Sequence, residues 1–325
     1  MRVHILDDWF DTLRGLPSFA RLAGHDVTVW NDHEEDPATL AARLAGAEAL
    51  VLFRERTPVT AALLERLPKL RLISQRSVYP HVDVEACTRH GVVLSSNMHA
   101  GTPSWAAAEL TFALILAAAR QLPAQVASLK AGRWQAGVGR TLRGRTLGLY
   151  GHGRIGRAVA GYARAFGMEV VWWASEEGRA RAAAEGERVA PSRRAFFAEP
   201  DLVNLHLRLK PATRGIVTAE DLASMREDAI LVNTSRAGLI APGALEAALA
   251  AGRPGTVALD VFETEPMTDP SDAIASHPNV IATPHIGYVT EDELDLQFAD
   301  IYDQVNAFAA GAPIHVVNPE ALAQG

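Results

Sequence analysis

Apolar and polar positions fall in blocks along this chain rather than alternating residue by residue. Short apolar runs, VHIL (3–6), DVTVW (26–30), EALVLF (48–53), LRLIS (70–74) and VVLSS (92–96), are separated by stretches of helical length. A strand that is apolar throughout is covered on both faces, which predicts a parallel sheet wrapped by helices. Punctuation agrees: Asp36-Pro37 reads as a helix start, and Gly91 after TRH as a helix stop. A helix is predicted from about Pro103 to Arg120, and a second to about Gly132. The strand pattern then restarts with TLGLYG (146–151), MEVVWW (168–173), DLVNLHL (201–207), AILVN (229–233), TVALDV (256–261) and NVIAT (279–283). Thr290 and Glu293 form a capping-box pattern that opens a last long helix. The closing PIHVVNP (313–319) is too short for a domain of its own, so the tail is expected to cross back and complete the first one. The expected fold class is α/β, with two doubly wound parallel-sheet domains: residues 1–100 plus 288–325, and residues 101–287.

Composition narrows the partners. The formal charge is −7, 48% of residues are apolar, and no run of Lys or Arg suggests a nucleic-acid groove. The most apolar helix, AAAELTFALILAAA (106–119), carries Glu109 and is too short to span a bilayer. MRVHILDD runs from a strand straight into acidic residues, unlike a signal peptide. Cys87 is the single cysteine, so no internal disulfide can form. The expectation is a cytoplasmic protein with neither nucleic acid nor membrane as a partner. The histidines lack metal-ligand spacing, so no metal site is expected, and GxSxG is absent, which argues against a serine hydrolase.

GHGRIG (151–156) follows the strand TLGLY and opens a helix, the context that turns a glycine pattern into a dinucleotide fingerprint. Gly151 permits the tight turn, Gly153 lets the backbone approach a pyrophosphate, and Gly156 lets helix and strand pack closely. The helix N-terminus, with Arg154 and Ile155, offers free N–H groups to phosphates. The second domain is therefore expected to be a Rossmann domain binding NAD or NADP.

Three further stretches end strands of the same sheet. LVNTSRAGLI (231–240) carries Arg236, LDVFETEP (259–266) carries Glu265, and ATPHIGY (282–288) carries His285. Ligands of open α/β sheets bind beyond the carboxyl ends of the strands, so the three converge on one edge. Hydride transfer to a 2-oxo acid needs a cation for the carboxylate, which Arg236 provides as a permanently charged fork. It also needs a proton donor, His285, and a carboxylate to fix that histidine's tautomer, Glu265.

With GHGRIG, NTSRAGLI, DVFETEP and TPHIG, the chain resembles the D-isomer specific 2-hydroxyacid dehydrogenases over nearly its whole length. The resemblance implies a flavodoxin-like substrate domain beside the nucleotide domain, and the catalytic set Arg236, Glu265 and His285. It implies Asp260 at the nicotinamide carboxamide; Thr102 and Thr234 are candidates on the cofactor side, and His206 is expected to be an inward-facing strand residue beside the cofactor rather than a catalyst. A homodimer follows from it too, with the helix at 103–120 at the interface, although that helix would look the same in a core. The implied reaction is hydride transfer between NAD(P)H and a 2-oxo acid or D-2-hydroxy acid. Formate- or phosphite-type oxidation, or NAD sensing by a dimeric binding protein, remain alternatives on the same fold.

Two departures from that pattern matter. Where the family has a glycine-rich VGxDxID-like loop, this chain has SQRSVYPHVDVEAC (74–87), which puts the substrate in question. Arg54 and Arg76 are candidate carboxylate binders or simply solvated, and Asn97 matches a substrate-domain position; His99 and Trp105 are candidate lining residues. At the second strand's tip an acidic residue is usual, yet VVWWASEEGR (170–179) has Ala174 and Ser175. Ser175 with Arg179 or Arg181 suits a 2′-phosphate, whereas Glu176 or Glu177 suits a free ribose, so the choice of NAD or NADP stays open. Trp172 and Trp173 are expected to pack on opposite faces of the sheet.

Overall fold

The computed structural model describes residues 1–98 and 105–324. Thr102 and His99 lie outside the described residues. The chain divides into two compact units, Met1–Pro103 with Thr290–Gly325, and Ser104–Val289.

The first unit holds strands β1 (Arg2–Ile5), β2 (Asp26–Val29), β3 (Ala49–Val51), β4 (Leu72–Arg76) and β5 (Val93–Asn97), all parallel, in the order β2-β1-β3-β4-β5. Helices α1 (Pro37–Leu44), α2 (Ala61–Leu64) and α3 (Val84–Arg89) connect them. The start of α1 is as the sequence indicates: Asp36 accepts from the Thr39 N–H and Pro37 occupies the first turn.

The second unit opens with α4 (Ala106–Arg120) and α5 (Leu122–Lys130). Its sheet comprises β6 (Thr146–Tyr150), β7 (Glu169–Trp173), β8 (Leu202–Leu205), β9 (Ile230–Asn233), β10 (Thr256–Leu259) and β11 (Val280–Ala282), parallel in the order β11-β10-β9-β8-β6-β7. A single-residue parallel bridge from Val189 to Trp172 extends the sheet beyond β7, an edge too short to leave an apolar run in the sequence. The helices are α6 (Arg154–Ala165), α7 (Glu176–Ala184), α8 (Arg193–Ala198), α9 (Ala219–Ser224) and α10 (Ala244–Ala250). Helix α4 buries Ala108, Phe112, Leu114, Ile115 and Ala118 in one core, beside Leu149, Val159 and Trp172. Trp173 borders the core on the other face and stacks on Phe196, so the tandem tryptophans do divide between the two faces.

The chain returns to the first unit through α11 (Glu291–Ala309). Phe298 packs at 5.0 Å from Phe53, and such a fully buried ring contributes about 1.5–3 kcal/mol. Buried polar groups fix the register: Ser74 Oγ donates to the Ile301 carbonyl and lies 3.0 Å from Gln304 Oε1, while Gln304 Nε2 donates to the Gln75 carbonyl. The tail then pairs antiparallel, Val316 with Ser95, and the Asn318 amide bonds to the backbone of Leu94 and Val92. At the start of α11, Thr290 accepts from the Glu293 N–H, but the Glu293 carboxylate bonds Gln297 instead, so only half of the expected capping box forms. Among the described residues no single helix is long and apolar enough to cross a membrane.

Candidate active site

In the second unit the strand order reverses at β6, with β7 on one side and β8 on the other. That is the switch point where open α/β sheets bind ligands. The loop after β6 is GHGRIG. Gly151 has φ +114°, and its N–H donates to the Trp173 carbonyl. A Cβ at Gly156 would lie 2.7 Å from the Gly151 carbonyl oxygen, so helix and turn meet too closely for any side chain there. Above Gly153, by contrast, a Cβ would meet nothing within 4 Å. Gly153 caps α6 with no side chain on the free N–H groups of that helix, and Arg154 is exposed on its first turn. An open, uncapped N-terminus of a twelve-residue helix fits a dinucleotide pyrophosphate.

At the tip of β7, Ala174 is buried and Ser175 is the exposed N-cap of α7, accepting from the Gly178 N–H. Arg179 is fixed twice: Nη1 donates to the Ala174 carbonyl at 2.7 Å, and the guanidinium lies 4.3 Å over the Trp173 ring. Past β8, the His206 N–H donates to the Tyr150 carbonyl, and its ring Nε2 is enclosed without a hydrogen-bond partner. Burial pushes the His206 pKa down to about 4, which keeps the ring neutral near neutral pH.

Beyond β9 to β11 stand the three singled-out side chains. Thr234 pairs with Thr111 of α4, hydroxyl to hydroxyl at 2.6 Å. Arg236 donates to the Ser235 carbonyl, and its own carbonyl accepts from Asn233. Glu265 and His285 meet: His285 Nδ1 is 2.5 Å from Glu265 Oε2, and Glu265 Oε1 accepts from the Phe262 N–H. Burial would raise the Glu265 pKa. The hydrogen bonds from His285 and Phe262, with the charges of His285 and Arg236, outweigh that and hold it below the usual carboxylate range. A carboxylate kept ionised on Nδ1 leaves Nε2 as the working nitrogen of the ring.

Asp260 does more in the structure than its expected place at a cofactor suggests. It is fully buried and accepts from Thr283 Oγ1 and from the N–H groups of Ile286 and Gly287. That carboxylate shapes the turn on which His285 sits at φ +53°. Burial raises its pKa, opposed by those three bonds. Nothing in the sequence distinguishes this role from a ligand contact, because both put an Asp at the end of a strand.

In the first unit, Arg54, Arg76 and Asn97 all stand at carboxyl ends of strands. Arg54 has φ +64° and lies 3.8 Å from Glu55. Arg76 lies 3.8 Å from Asp300, and Asn97 Nδ2 donates to the same carboxylate at 3.0 Å. Sequence reasoning missed Asp300, since a lone acid on a helix reads as solvated surface. It also missed Asp7, buried beyond β1, which bonds His33 Nδ1 at 2.7 Å and Thr57 Oγ1 at 2.6 Å. Among the described residues no group of three His, Cys, Asp or Glu side chains is placed to hold a metal ion.

Residues 112–287 match the family model for the D-isomer specific 2-hydroxyacid dehydrogenase, NAD binding domain. The chain is 34% identical to a glyoxylate reductase of Aeropyrum pernix, over 92% of this chain and 91% of that protein. The chain belongs to the D-isomer specific 2-hydroxyacid dehydrogenase family. It is 37% identical to a D-3-phosphoglycerate dehydrogenase of Methanocaldococcus jannaschii, covering 84% of this chain but only 52% of that one. The chain thus spans about half the length of that relative. Among solved structures, a phosphoglycerate oxidoreductase from Vibrio cholerae superposes with a TM-score of 0.90 at 45% identity, over 96% of this chain and 100% of that one. An oxidoreductase from Ralstonia solanacearum does so with a TM-score of 0.94 at 44% identity, over 99% and 98% of the two chains.

Proposed function

We propose that the protein is an NAD(P)-dependent oxidoreductase that transfers hydride between the nicotinamide and a small 2-oxo acid or D-2-hydroxy acid. The observation that carries this reading is the 2.5 Å contact of Glu265 with His285, next to the charge of Arg236, at the carboxyl edge of a sheet whose switch point holds the glycine loop. In this reading the bound nicotinamide supplies the hydride. Arg236 binds the acid's carboxylate and polarises its carbonyl, and His285 Nε2 delivers the proton to the developing alkoxide. Glu265 holds the ring in the tautomer and orientation that make this possible. Gly151, Gly153, Arg154, Ile155, Gly156, Ser175, His206, Thr234, Asp260 and Thr102 are proposed to belong to the cofactor side. Arg54, Arg76 and Asn97 are proposed to meet the acid.

For the finer choice of cofactor, Arg179 speaks for NADPH. It lies 4.3 Å over the Trp173 ring beside the strand tip, where Ala174 offers no carboxylate to repel a 2′-phosphate. A homodimer belongs to the same proposal. Helix α4 is largely spent on the unit's own core, while Leu122, Val126, Leu129, Trp134 and Val138 leave apolar surface exposed on and after α5. A cytoplasmic location belongs to the same proposal: with Cys87 the one cysteine of the chain, and buried, nothing in the fold depends on an oxidised disulfide.

The test mixes purified protein with NADH or NADPH and a panel of 2-oxo acids, glyoxylate, pyruvate and hydroxypyruvate included, and follows nicotinamide absorbance. Turnover with at least one acid is expected, with a KM for NADPH no higher than for NADH. Tight nucleotide binding with no turnover on any acid would instead favour a sensor. In Arg236→Lys the bidentate fork is lost, so KM for the acid should rise sharply.

A further inference from the structure

His152 sits between the first two glycines of the loop and has no part in the reading above. Its side chain is only 1% exposed, and neither ring nitrogen has a hydrogen-bond partner. The ring stands edge-on to Trp172 at 4.6 Å. Its Nε2 is 3.5 Å from Glu185 Oε2, beyond hydrogen-bond contact, while the other oxygen of Glu185 pairs with Arg157 on α6. The charged groups acting on the ring are Arg181 from α7, Glu185 and Glu187 just beyond it, and Arg157 from α6. Burial dominates and lowers the pKa, which leaves a neutral, unbonded imidazole directly behind the loop.

An unpartnered buried imidazole costs free energy, and the neighbouring carboxylate marks where a proton would be welcome. Filling the N-terminus of α6 with a pyrophosphate brings two negative charges to the loop that carries His152, in a poorly screened setting. We propose that His152 is a positioning residue whose ring takes up one proton from solvent when a nucleotide diphosphate occupies the loop. The new Nε2–H then closes the 3.5 Å gap to Glu185 as a charge-assisted hydrogen bond, and Arg157 keeps the other oxygen. The loop is thereby joined to the existing Arg157–Glu185 pair, and through it to α6 and the end of α7, only in the liganded state. This inference rests on the dinucleotide reading and goes beyond it, since proton uptake is separable from binding itself.

The sign follows from linkage. If the nucleotide raises the ring's affinity for a proton, affinity for the nucleotide grows as pH falls, by at most about tenfold per pH unit for one proton. The gain is lost as pH rises through the ring's pKa in the complex, and it levels off below the depressed pKa of the free protein.

The experiment is calorimetric titration of the whole protein with NADH and with NADPH, in phosphate and in Tris, between pH 6 and 8.5. Net proton uptake and a Kd that tightens several-fold toward low pH are expected. His152→Phe keeps an edge-on ring against Trp172 but cannot be protonated, so uptake and pH slope should both vanish while binding persists. Uptake retained in His152→Phe, or a wild-type Kd independent of pH, overturns the assignment. Should that variant fail to fold, ¹⁵N NMR titration of the wild-type ring with and without NADH decides: an unshifted ring titration overturns it. No binding heat for either nucleotide would overturn the dinucleotide reading itself, which is a different result.

Discussion

Gly151 passes so close to His206 that a Cβ on residue 151 would lie 2.4 Å from the His206 carbonyl oxygen. With φ at +114°, the turn has neither room nor backbone freedom for another residue. Gly151→Ala is therefore expected to push β8 away from the loop or to open the turn, at about 1–3 kcal/mol of strain. NADH affinity should fall at least tenfold, measured by fluorescence titration. Gly161→Ala, in α6 with nothing within 4 Å of the new methyl, should bind normally and melt no lower than wild type.

Replacing His285 by Ala should lower kcat by roughly 10²–10⁴-fold, the usual worth of a general acid, with the Kd for NADH little changed. Near-normal turnover would remove the ring from the reaction. Because the hydrogen bonds from His285 and Phe262 hold the Glu265 carboxyl below the usual Glu range, it stays ionised through weak acid and is neutralised only at a pH lower than an ordinary glutamate requires. The acid limb of the pH–rate profile that belongs to Glu265 should thus lie below the ordinary glutamate range, and Glu265→Gln should abolish it along with most activity.

Asp300 joins the Arg76 and Asn97 side chains from a helix more than two hundred residues further along. Asp300→Ala should remove this shared contact at the carboxyl edge of the first sheet and raise KM for the acid several-fold, while the Kd for NADH stays the same. A stability loss of about 1.5–3 kcal/mol should accompany it, as for other hydrogen bonds to charged groups. Equal loss of nucleotide and acid binding would mean a general folding defect instead.

Cys87 is fully buried, and burial pushes its thiol up to about 12. Native protein should react with a thiol reagent no faster than it unfolds, whereas the denatured chain should titrate one thiol at once. Rapid labelling under native conditions would contradict the packing of α3 against β5.

Much of this architecture was readable in advance, and its misses have physical causes. Each apolar run became a strand, but the ladders stop earlier than the runs: DLVNLHL reaches Leu207, while pairing ends at Leu205, whose match with Tyr150 is closed by the His206 N–H bond to the Tyr150 carbonyl. Val189 went unseen because one bridged residue between Arg188 and Ala190 makes no pattern. Arg236, Glu265 and His285 were legible because their types and strand-end positions agree with one chemistry, and the meeting of Glu265 with His285 is geometry that spacing alone could not give. Asp300 and His152 were invisible for opposite reasons. The first acts across a long separation in sequence, and the second hides between two glycines that drew all the attention.

The return of α11 has a consequence for how the chain is made. The first sheet is made before the nucleotide unit, yet the side chains that cover Ser74 and Phe53, namely Gln304, Ile301 and Phe298, are synthesised only after it. A nascent chain must therefore carry β4 uncovered while the whole nucleotide unit is translated and folds as the first finished body. The first unit closes only when the tail arrives, so truncation after residue 289 should strand a folded nucleotide unit beside an incomplete, aggregation-prone sheet.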